Sequence, residues 1–205
     1  MELLKEYYQI ELSQDQLNEA VAAIDRNNGP MLLKRILLQK ANAKNRNGRI
    51  YPRPVLEREV NRYNEEMVKT RRALGECDHI DSNIVNLKNV SHLVTEIWWE
   101  GDDVFGNIEI LNSPEFPAGM IAAGLLKRRI PVGISSRALG SVSEVNGVSM
   151  VNEDLQLSCW DLVSFESTIG SFMNLQEAHN AAYNKYKTVD DIIHKIICNH
   201  TKTSL

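Results

Sequence analysis

The sequence has few of the features that mark secreted, membrane or zinc-binding proteins. It contains only three cysteines among 205 residues, and no two of them have the C-x-x-C spacing of a zinc or redox motif. An odd number of scattered cysteines indicates a reducing compartment without structural disulfides. Apolar runs stay well short of the roughly 18 residues that cross a bilayer, and no secretory pattern opens the chain. We therefore expect a protein that is cytosolic in the cell that makes it, without a membrane partner.

Charge and motif content also exclude several ligand classes. The net charge of −4 and the isoelectric point near 5.8 give no reason to expect direct nucleic-acid binding. A glycine-rich phosphate loop is missing from the sequence. Cys77 and His79 lie close together, but no second pair with ligand spacing follows them. We expect neither a metal nor a cofactor.

The length and the 43% hydrophobic content allow one sizeable core with appendages. Ser13 and Gln16 match a capping box, and the helix they begin ends at the polar break of residues 27–30. We predict an N-terminal, propeptide-like appendage over 1–30, a core domain over 31–170 and a helical C-terminal appendage over 171–205. The last carries an apolar stripe at helical spacing: Val189, Ile192, Ile193, Ile196 and Ile197.

Within the core, strand and helix patterns alternate, which predicts an α+β fold. Strands are expected over residues 31–41, 90–99, 104–111 and 160–165, and a pair of short strands over 148–158 around a turn at 152–154. A helix is expected from Pro54 to about Thr70 because proline suits the first helical turn. A second helix is expected to start at Ser113 and Pro114 and to continue to Arg129.

The stretch at residues 131–141 is the first candidate site. An apolar run leads to two adjacent serines and an arginine, as if a strand ended by presenting a hydroxyl beside a cation. Serine needs a base elsewhere to act as a nucleophile. From spacing alone, an ordinary strand end rich in turn-forming residues is the better interpretation.

Loop residue His79 is the best candidate for that base, whereas His92 lies within a predicted strand and is expected to be a packed core residue. Ser135 or Ser136 would then attack a carbonyl carbon, with Arg137 and backbone N–H groups stabilising the oxyanion. The third, orienting carboxylate is left open among four residues: Asp161, Glu153, Glu76 and Asp78. A cysteine nucleophile at Cys77 or Cys159 is disfavoured because acidic neighbours raise the pKa of a thiol.

Several blocks of sequence, in order, resemble the prohead core protein proteases of T-even-type tailed bacteriophages. They are NRNGRIYP at residues 45–52, ALGE at 73–76 with His79, WWEGDDVFG at 98–106 and IPVGISSRALGS at 130–141. A weaker block joins residues 151–153 to 161–163, so that the resemblance covers roughly residues 35–170.

The resemblance implies a serine endopeptidase with an assemblin-like antiparallel β-barrel core surrounded by helices. It also implies a role in capsid maturation inside the phage prohead, with scaffold, internal core and capsid proteins as substrates. By position, His79 matches the catalytic histidine, Ser135 the nucleophile, and Ser136 and Arg137 the residues that follow it. The assemblin relatives use a second histidine as the third member. This chain has no histidine between His92 and His179, and Asp161 is preferred there over Glu153.

The resemblance further implies cleavage after Glu in a Leu/Ile-x-Glu sequence. Such sequences end at Glu19 and Glu177, both within the predicted appendages, and predict self-cleavage of a zymogen there. A site that recognises glutamate needs a cation, for which Arg46, Arg49 and Arg137 are candidates. The alternative is a catalytically inactive scaffold protein of the same fold. The C-terminal apolar stripe would also suit a homo-oligomer.

Overall fold

The computed structural model describes residues 1–27, 30–78 and 81–164, and it confirms the predicted α+β class. The strands are β1 (Glu2–Gln9), β2 (Met31–Lys40), β3 (Arg49–Ile50), β4 (Leu74–Glu76), β5 (Val90–Glu100), β6 (Asp103–Ile110), β7 (Val132–Gly140), β8 (Val142–Val145), β9 (Val148–Val151) and β10 (Gln156–Ser164). The α-helices are α1 (Gln14–Asn27), α2 (Arg53–Tyr63) and α3 (Pro117–Lys127). A π-helical turn, Asn64–Val68, follows α2, and a 3-10 turn, Leu87–Asn89, precedes β5.

The described strands are divided among three sheets, and they do not close into one barrel. Their orders are β2-β6-β5-β4, β1-β7-β10 and β3-β9-β8. All pairs are antiparallel except the short parallel pair of β3 with β9. Strand β7, which carries the two serines, lies in the middle of its sheet between β1 and β10.

The first ten residues differ from the expected appendage. Strand β1 pairs along its whole length with β7, and Leu4 and Glu6 on one of its faces are 0% and 1% exposed. This strand is not predicted from the sequence, because the charged Glu6 stands at a buried position and interrupts the alternation of apolar and polar residues that indicates a strand. Residues 2–9 therefore supply a strand to the sheet that carries Ser135.

The three predicted helix starts can be compared with the structure. Helix α2 begins at Arg53, next to the predicted Pro54, and the π-helical turn continues it to Val68, near the predicted end at Thr70. At α1 the capping box forms as expected: the Gln16 backbone N–H donates to Ser13 Oγ (3.2 Å), and the Ser13 N–H donates to Gln16 Oε1 (2.9 Å). Helix α3 begins one turn later than predicted, at Pro117. The Phe116 N–H instead donates to the carbonyl of Ser113 and closes a separate turn.

The core is centred on Trp160 of β10, which is fully buried. Its ring meets the Tyr63 ring edge to face, with centroids 5.0 Å apart, and its Nε1–H donates to the carbonyl of Leu38. Because side chains alternate along a strand, the next residue, Asp161, projects to the opposite face of β10. Burial of the Trp160 side chain therefore fixes the face of β10 from which the Asp161 carboxylate projects.

Some predictions lie outside the described residues: His79, Glu177 and the apolar stripe at 189–197. Among the helices of the described ranges, none is long and apolar enough to span a bilayer.

Candidate functional site

Ser135 and Asp161 lie directly opposite each other on neighbouring antiparallel strands. Strand β7 pairs Ser135 with Asp161 of β10 on one side and with Tyr7 of β1 on the other. Residues paired in this way project on the same face of a sheet. Ser135 is 2% exposed and Asp161 is fully buried. A hydroxyl and a carboxylate predicted from distant parts of the chain are therefore brought together.

Asp161 is held by a buried ion-pair network. Arg137, two residues beyond Ser135 on the same face, places Nε 2.9 Å from Asp161 Oδ2 and donates from Nη2 to Oδ1 at 3.1 Å. The same Nη2 lies 3.1 Å from Oε2 of Glu76, whose backbone N–H donates to Asp161 Oδ1 at 2.9 Å. All three side chains are buried. The guanidinium of Arg137 and the backbone N–H of Glu76 therefore hold the Asp161 carboxylate from two directions.

Arg137 was predicted to contact the oxyanion or the substrate, but its surroundings in the structure do not suit that role. Its side chain is 0% exposed, and its remaining Nη1 donates to the carbonyl of Ser82 at 2.7 Å. Burial lowers the pKa of the guanidinium, but Cys159, Asp161 and Glu76 together raise it above its ordinary value. Arg137 therefore stays charged and acts on the site by holding Asp161.

The two described cysteines are poorly suited to nucleophilic attack. Burial, followed by the charge of Asp161, raises the pKa of the Cys159 thiol, and burial with Asp78 raises that of Cys77. Cys159 Sγ lies within the network, 3.2 Å from Arg137 Nε and 3.4 Å from Asp161 Oδ1. A thiol that stays protonated is inert, and these contacts disfavour the alternative of a cysteine hydrolase.

The predicted base, His79, lies outside the described residues, but the chain on both sides of it is anchored to this sheet. Cys77 bridges to Leu162, and the Asp78 N–H donates to the Leu162 carbonyl at 2.8 Å. On the other side, Lys5 Nζ of β1 donates to Asp81 Oδ1 at 2.8 Å. These anchors lie on β10 and β1, the two strands that flank Ser135.

His92 is a core residue, as expected. It is fully buried, and its Nε2 lies 3.0 Å from the carbonyl of Trp160, which can only accept a hydrogen bond. Nε2 therefore carries the proton, and Nδ1 accepts from the Ser91 hydroxyl at 2.9 Å. Burial lowers the pKa of His92 to about 4, so the ring is neutral at ordinary pH.

Ser136 projects from the face of β7 opposite to Ser135. Arg49 of β3 contacts that same face of the sheet through Glu6 of β1. Ser136 pairs in register with Glu6 of β1 and Trp160 of β10. Arg49, predicted as a substrate contact, donates from Nη1 to Glu6 Oε1 at 2.9 Å. Of the other candidates for the third role, Asp78 and Glu153 are exposed and Glu76 is bound to Arg137, so that the carboxylate opposite Ser135 is that of Asp161.

Sequence reasoning missed the carboxylate of Glu6 and its other two partners. Tyr51 donates its hydroxyl to Glu6 Oε1 at 2.8 Å, and Asn47 Nδ2 donates to Oε2 at 2.7 Å. The signal was present in the NRNGRIYP block, which carries donors at alternate positions: Asn47, Arg49 and Tyr51. Nothing in that block indicates that the acceptor, the Glu6 carboxylate, lies some 40 residues earlier in the chain.

The predicted cleavage position Glu19 lies inside helix α1. Its carboxylate pairs with Lys34 Nζ at 2.6 Å on the surface, while the next residue, Ala20, is 3% exposed. The described ranges contain no group of three or more side chains placed to hold a metal ion.

The chain is similar in sequence and in fold to known phage proteases. The chain is 36% identical to the prohead core protein protease of Enterobacteria phage T4 over 123 residues, which is 60% of this chain and 58% of that relative. The chain thus matches less than two thirds of the relative's length. The solved structure of the bacteriophage T4 capsid assembly protease, gp21, superimposes with a TM-score of 0.68 at 26% identity, covering 80% of this chain and 98% of that one.

A family model described as "Prohead core protein serine protease" matches residues 15–187, most of the chain. The match includes the strands that bear Ser135 and Asp161, and it also includes His79, which precedes both in the sequence. The chain belongs to the prohead core protein serine protease family.

Proposed function

We propose that this chain is a serine endopeptidase of the phage prohead. It cleaves scaffold, core and capsid precursor proteins after Glu in Leu/Ile-x-Glu sequences during capsid maturation. The observation that carries the proposal is the placement of Ser135 opposite Asp161, with Arg137 and Glu76 holding the carboxylate in place. The family match and the T4 relatives support the reaction class and the location in the prohead.

In the proposed mechanism, Ser135 Oγ attacks the carbonyl carbon of the scissile peptide while His79 accepts the hydroxyl proton. Asp161 orients the imidazole and stabilises the imidazolium that forms. His79 then donates the proton to the departing amine as the C–N bond breaks, and water releases the acyl group by the same steps. Backbone N–H groups, rather than the enclosed Arg137, hold the oxyanion.

Two features of the described residues support His79 as the base. Asp78, which precedes it, bonds to the Leu162 carbonyl of β10 next to Ser135, and Asp81, which follows it, forms a surface ion pair with Lys5 of β1. In addition, the buried network holds two carboxylates and a single guanidinium. A histidine that becomes positively charged during the reaction would be stabilised by this excess of negative charge.

For the fold, we infer an assemblin-like arrangement in which the sheet β1-β7-β10 forms one wall of the core. For processing, we propose self-cleavage at Glu19 and Glu177. Because proteases bind extended peptides and Glu19 lies in α1, cleavage there requires α1 to unwind first. This makes removal of the N-terminal segment a slow event, gated by local opening.

Replacement of Ser135 tests the proposal. Co-expression with a phage core protein that contains Leu-x-Glu sites is followed by mass spectrometry of both chains. We expect Ser135→Ala to reduce cleavage by at least about 10³-fold and to preserve both termini of the enzyme. The matched control is Ser136→Ala, which removes the neighbouring hydroxyl from the opposite face and should keep cleavage. Equal processing by the wild type and Ser135→Ala would indicate the inactive scaffold protein instead.

A further inference from the structure

Two sheets meet beside the proposed site, along a seam between strands β4 and β10. Strand β4 is an edge strand of the four-stranded sheet, and β10 is an edge strand of the sheet that carries Ser135. Across the seam, the Glu76 N–H donates to Asp161 Oδ1 at 2.9 Å, and Cys77 bridges to Leu162. The proposed nucleophile therefore belongs to one sheet, and the proposed base follows the edge strand of the other.

Gly75 allows the close approach of the two edge strands. A Cβ atom at this position would collide with the Trp160 carbonyl oxygen of β10 and with the ring of His92. Glycine leaves this space open, so the backbone of β4 packs directly against that of β10. The next residue, Glu76, is thereby brought against Asp161 with both its backbone and its side chain at the seam.

The buried Glu76 carboxylate joins the seam to the segment 81–89, which follows the proposed base. Its Oε2 lies 3.1 Å from Arg137 Nη2, and its Oε1 accepts a hydrogen bond from the backbone N–H of Asn86. Arg137 reaches the same segment through Nη1, which donates to the Ser82 carbonyl at 2.7 Å. One buried ion pair thus holds two backbone groups of this segment.

These contacts hold irregular backbone, since residues 81–86 belong to neither a helix nor a strand. On the other side of His79, the Asp78 N–H donates to the Leu162 carbonyl at 2.8 Å. The chain is therefore fixed to the seam both before the base, at Asp78, and after it, at Ser82 and Asn86. Fixing both ends of a short loop removes much of its conformational freedom.

Neutralisation of Arg137 does not require Glu76. Asp161 already lies 2.9 Å from Arg137 Nε and accepts from Nη2 at 3.1 Å. A second carboxylate leaves the buried network with an excess of negative charge, which costs free energy unless hydrogen bonds compensate for it. The bond from the Asn86 N–H supplies such compensation, and it is this bond that ties the segment to the network.

We propose that Glu76 is a positioning residue of the reaction: its carboxylate, paired with Arg137, fixes the segment that follows His79 and so sets the position of the base relative to Ser135. This inference rests on the proposed protease function. It gives the two carboxylates of the network different tasks. Asp161 orients the imidazole, whereas Glu76 holds the backbone on which the imidazole is carried.

Asn86→Pro tests the assignment, because it removes the N–H that Glu76 binds and leaves the carboxylate intact. Asn86 is exposed, and its φ of −85° is close to the range of proline. We expect kcat for a Leu-Ala-Glu peptide to fall by about 10- to 100-fold with KM unchanged, since a displaced base slows the chemical step rather than binding.

Asn86→Ala is the matched control. It also loses the side chain, which accepts a hydrogen bond from the Lys88 N–H, but it keeps the backbone N–H bound by Glu76. Its kcat should stay within about twofold of the wild-type value. Equal losses of kcat in Asn86→Pro and Asn86→Ala would show that the side chain matters rather than the bond to Glu76, and the inference would be wrong.

Glu76→Gln gives a second measurement that does not depend on proline. A carboxamide has a single acceptor oxygen, so it cannot serve both the Asn86 N–H and Arg137. We expect kcat and the rate at which a fluorophosphonate labels Ser135 to fall in the same proportion, because both need the base in place. A lower urea midpoint with unchanged labelling of the folded protein would make Glu76 a purely structural residue and reject the inference.

Amide hydrogen exchange in a Ser135→Ala background separates this inference from the protease proposal. Exchange over residues 82–86 should be faster in Glu76→Gln and Asn86→Pro than in Asn86→Ala. Faster exchange in these variants, with a wild type that does not cleave, would retain the tether and reject the protease. Cleavage at the wild-type rate by both variants would retain the protease and reject the positioning role.

Discussion

Two arginine–carboxylate networks lie on opposite faces of strand β7, and they are built differently. Arg137 is 0% exposed and is bound to Asp161 of β10 and Glu76 of β4, both fully buried. Arg49 keeps 23% of its side chain exposed and binds Glu6 of β1. Both networks join residues of different strands, but only the second has a cation that solvent reaches.

This difference in exposure predicts a difference in how much each network contributes to stability. Removing a buried cation leaves two buried carboxylates uncompensated, whereas solvent can replace part of what a partly exposed cation provides. Three sets of variants test the proposed function and this comparison.

The largest effect is expected from Asp161→Asn. The amide keeps the shape of the side chain but removes the negative charge that stabilises the imidazolium, and we expect the cleavage rate to fall by about 10³–10⁴-fold. Single-turnover cleavage of a Leu-Ala-Glu peptide measures it. Glu153→Gln, on the exposed turn, is the control and should retain the rate. A loss of activity in Glu153→Gln alone would reassign the third catalytic role.

A smaller effect, on stability, separates the two arginines. Arg137→Met leaves two buried carboxylates without their cation, and we expect the free energy of unfolding to fall by about 3–5 kcal/mol. Arg49→Met should cost about 1–2 kcal/mol, since Tyr51 and Asn47 still bond to Glu6 and solvent reaches the gap. Urea titration monitored by tryptophan fluorescence measures both values.

Arg137→Lys gives a second measurement if Arg137→Met does not fold. It keeps the charge but loses the fork that bonds both carboxylates, and it should lie between the wild type and Arg137→Met. Equal losses at Arg137 and Arg49 would mean that the two networks do not differ as their burial indicates.

The last effect appears only on acidification and concerns His92, whose ring bonds to the Trp160 carbonyl of β10. Its pKa is lowered to about 4 in the folded protein, so between pH 6.5 and 4 the unfolded chain binds a proton that the folded chain does not. Stability is therefore complete above pH 6.5 and falls on acidification, by about 3 kcal/mol at pH 4 from this residue. Urea midpoints of wild type and His92→Gln should converge as the pH falls, and parallel curves would contradict the assignment.

The sequence predicted the α+β class, the strand around Ser135 and the position of Asp161 on a later strand. Those depend on local apolar patterns and on a resemblance that spans the core. It did not predict β1, because Glu6 is buried by donors more than 40 residues away, and no local pattern carries that pairing. Arg137 was assigned to the oxyanion for the same reason: its carboxylate partners come from β4 and β10, which meet only in the folded protein.

The backbone of Asp78, immediately before His79, has a φ of +67° while its N–H is bonded to the Leu162 carbonyl. Glycine, asparagine and aspartate adopt this left-handed conformation most readily, and a β-branched residue there would strain the chain. We therefore expect members of the family to favour one of these three residues next to the histidine.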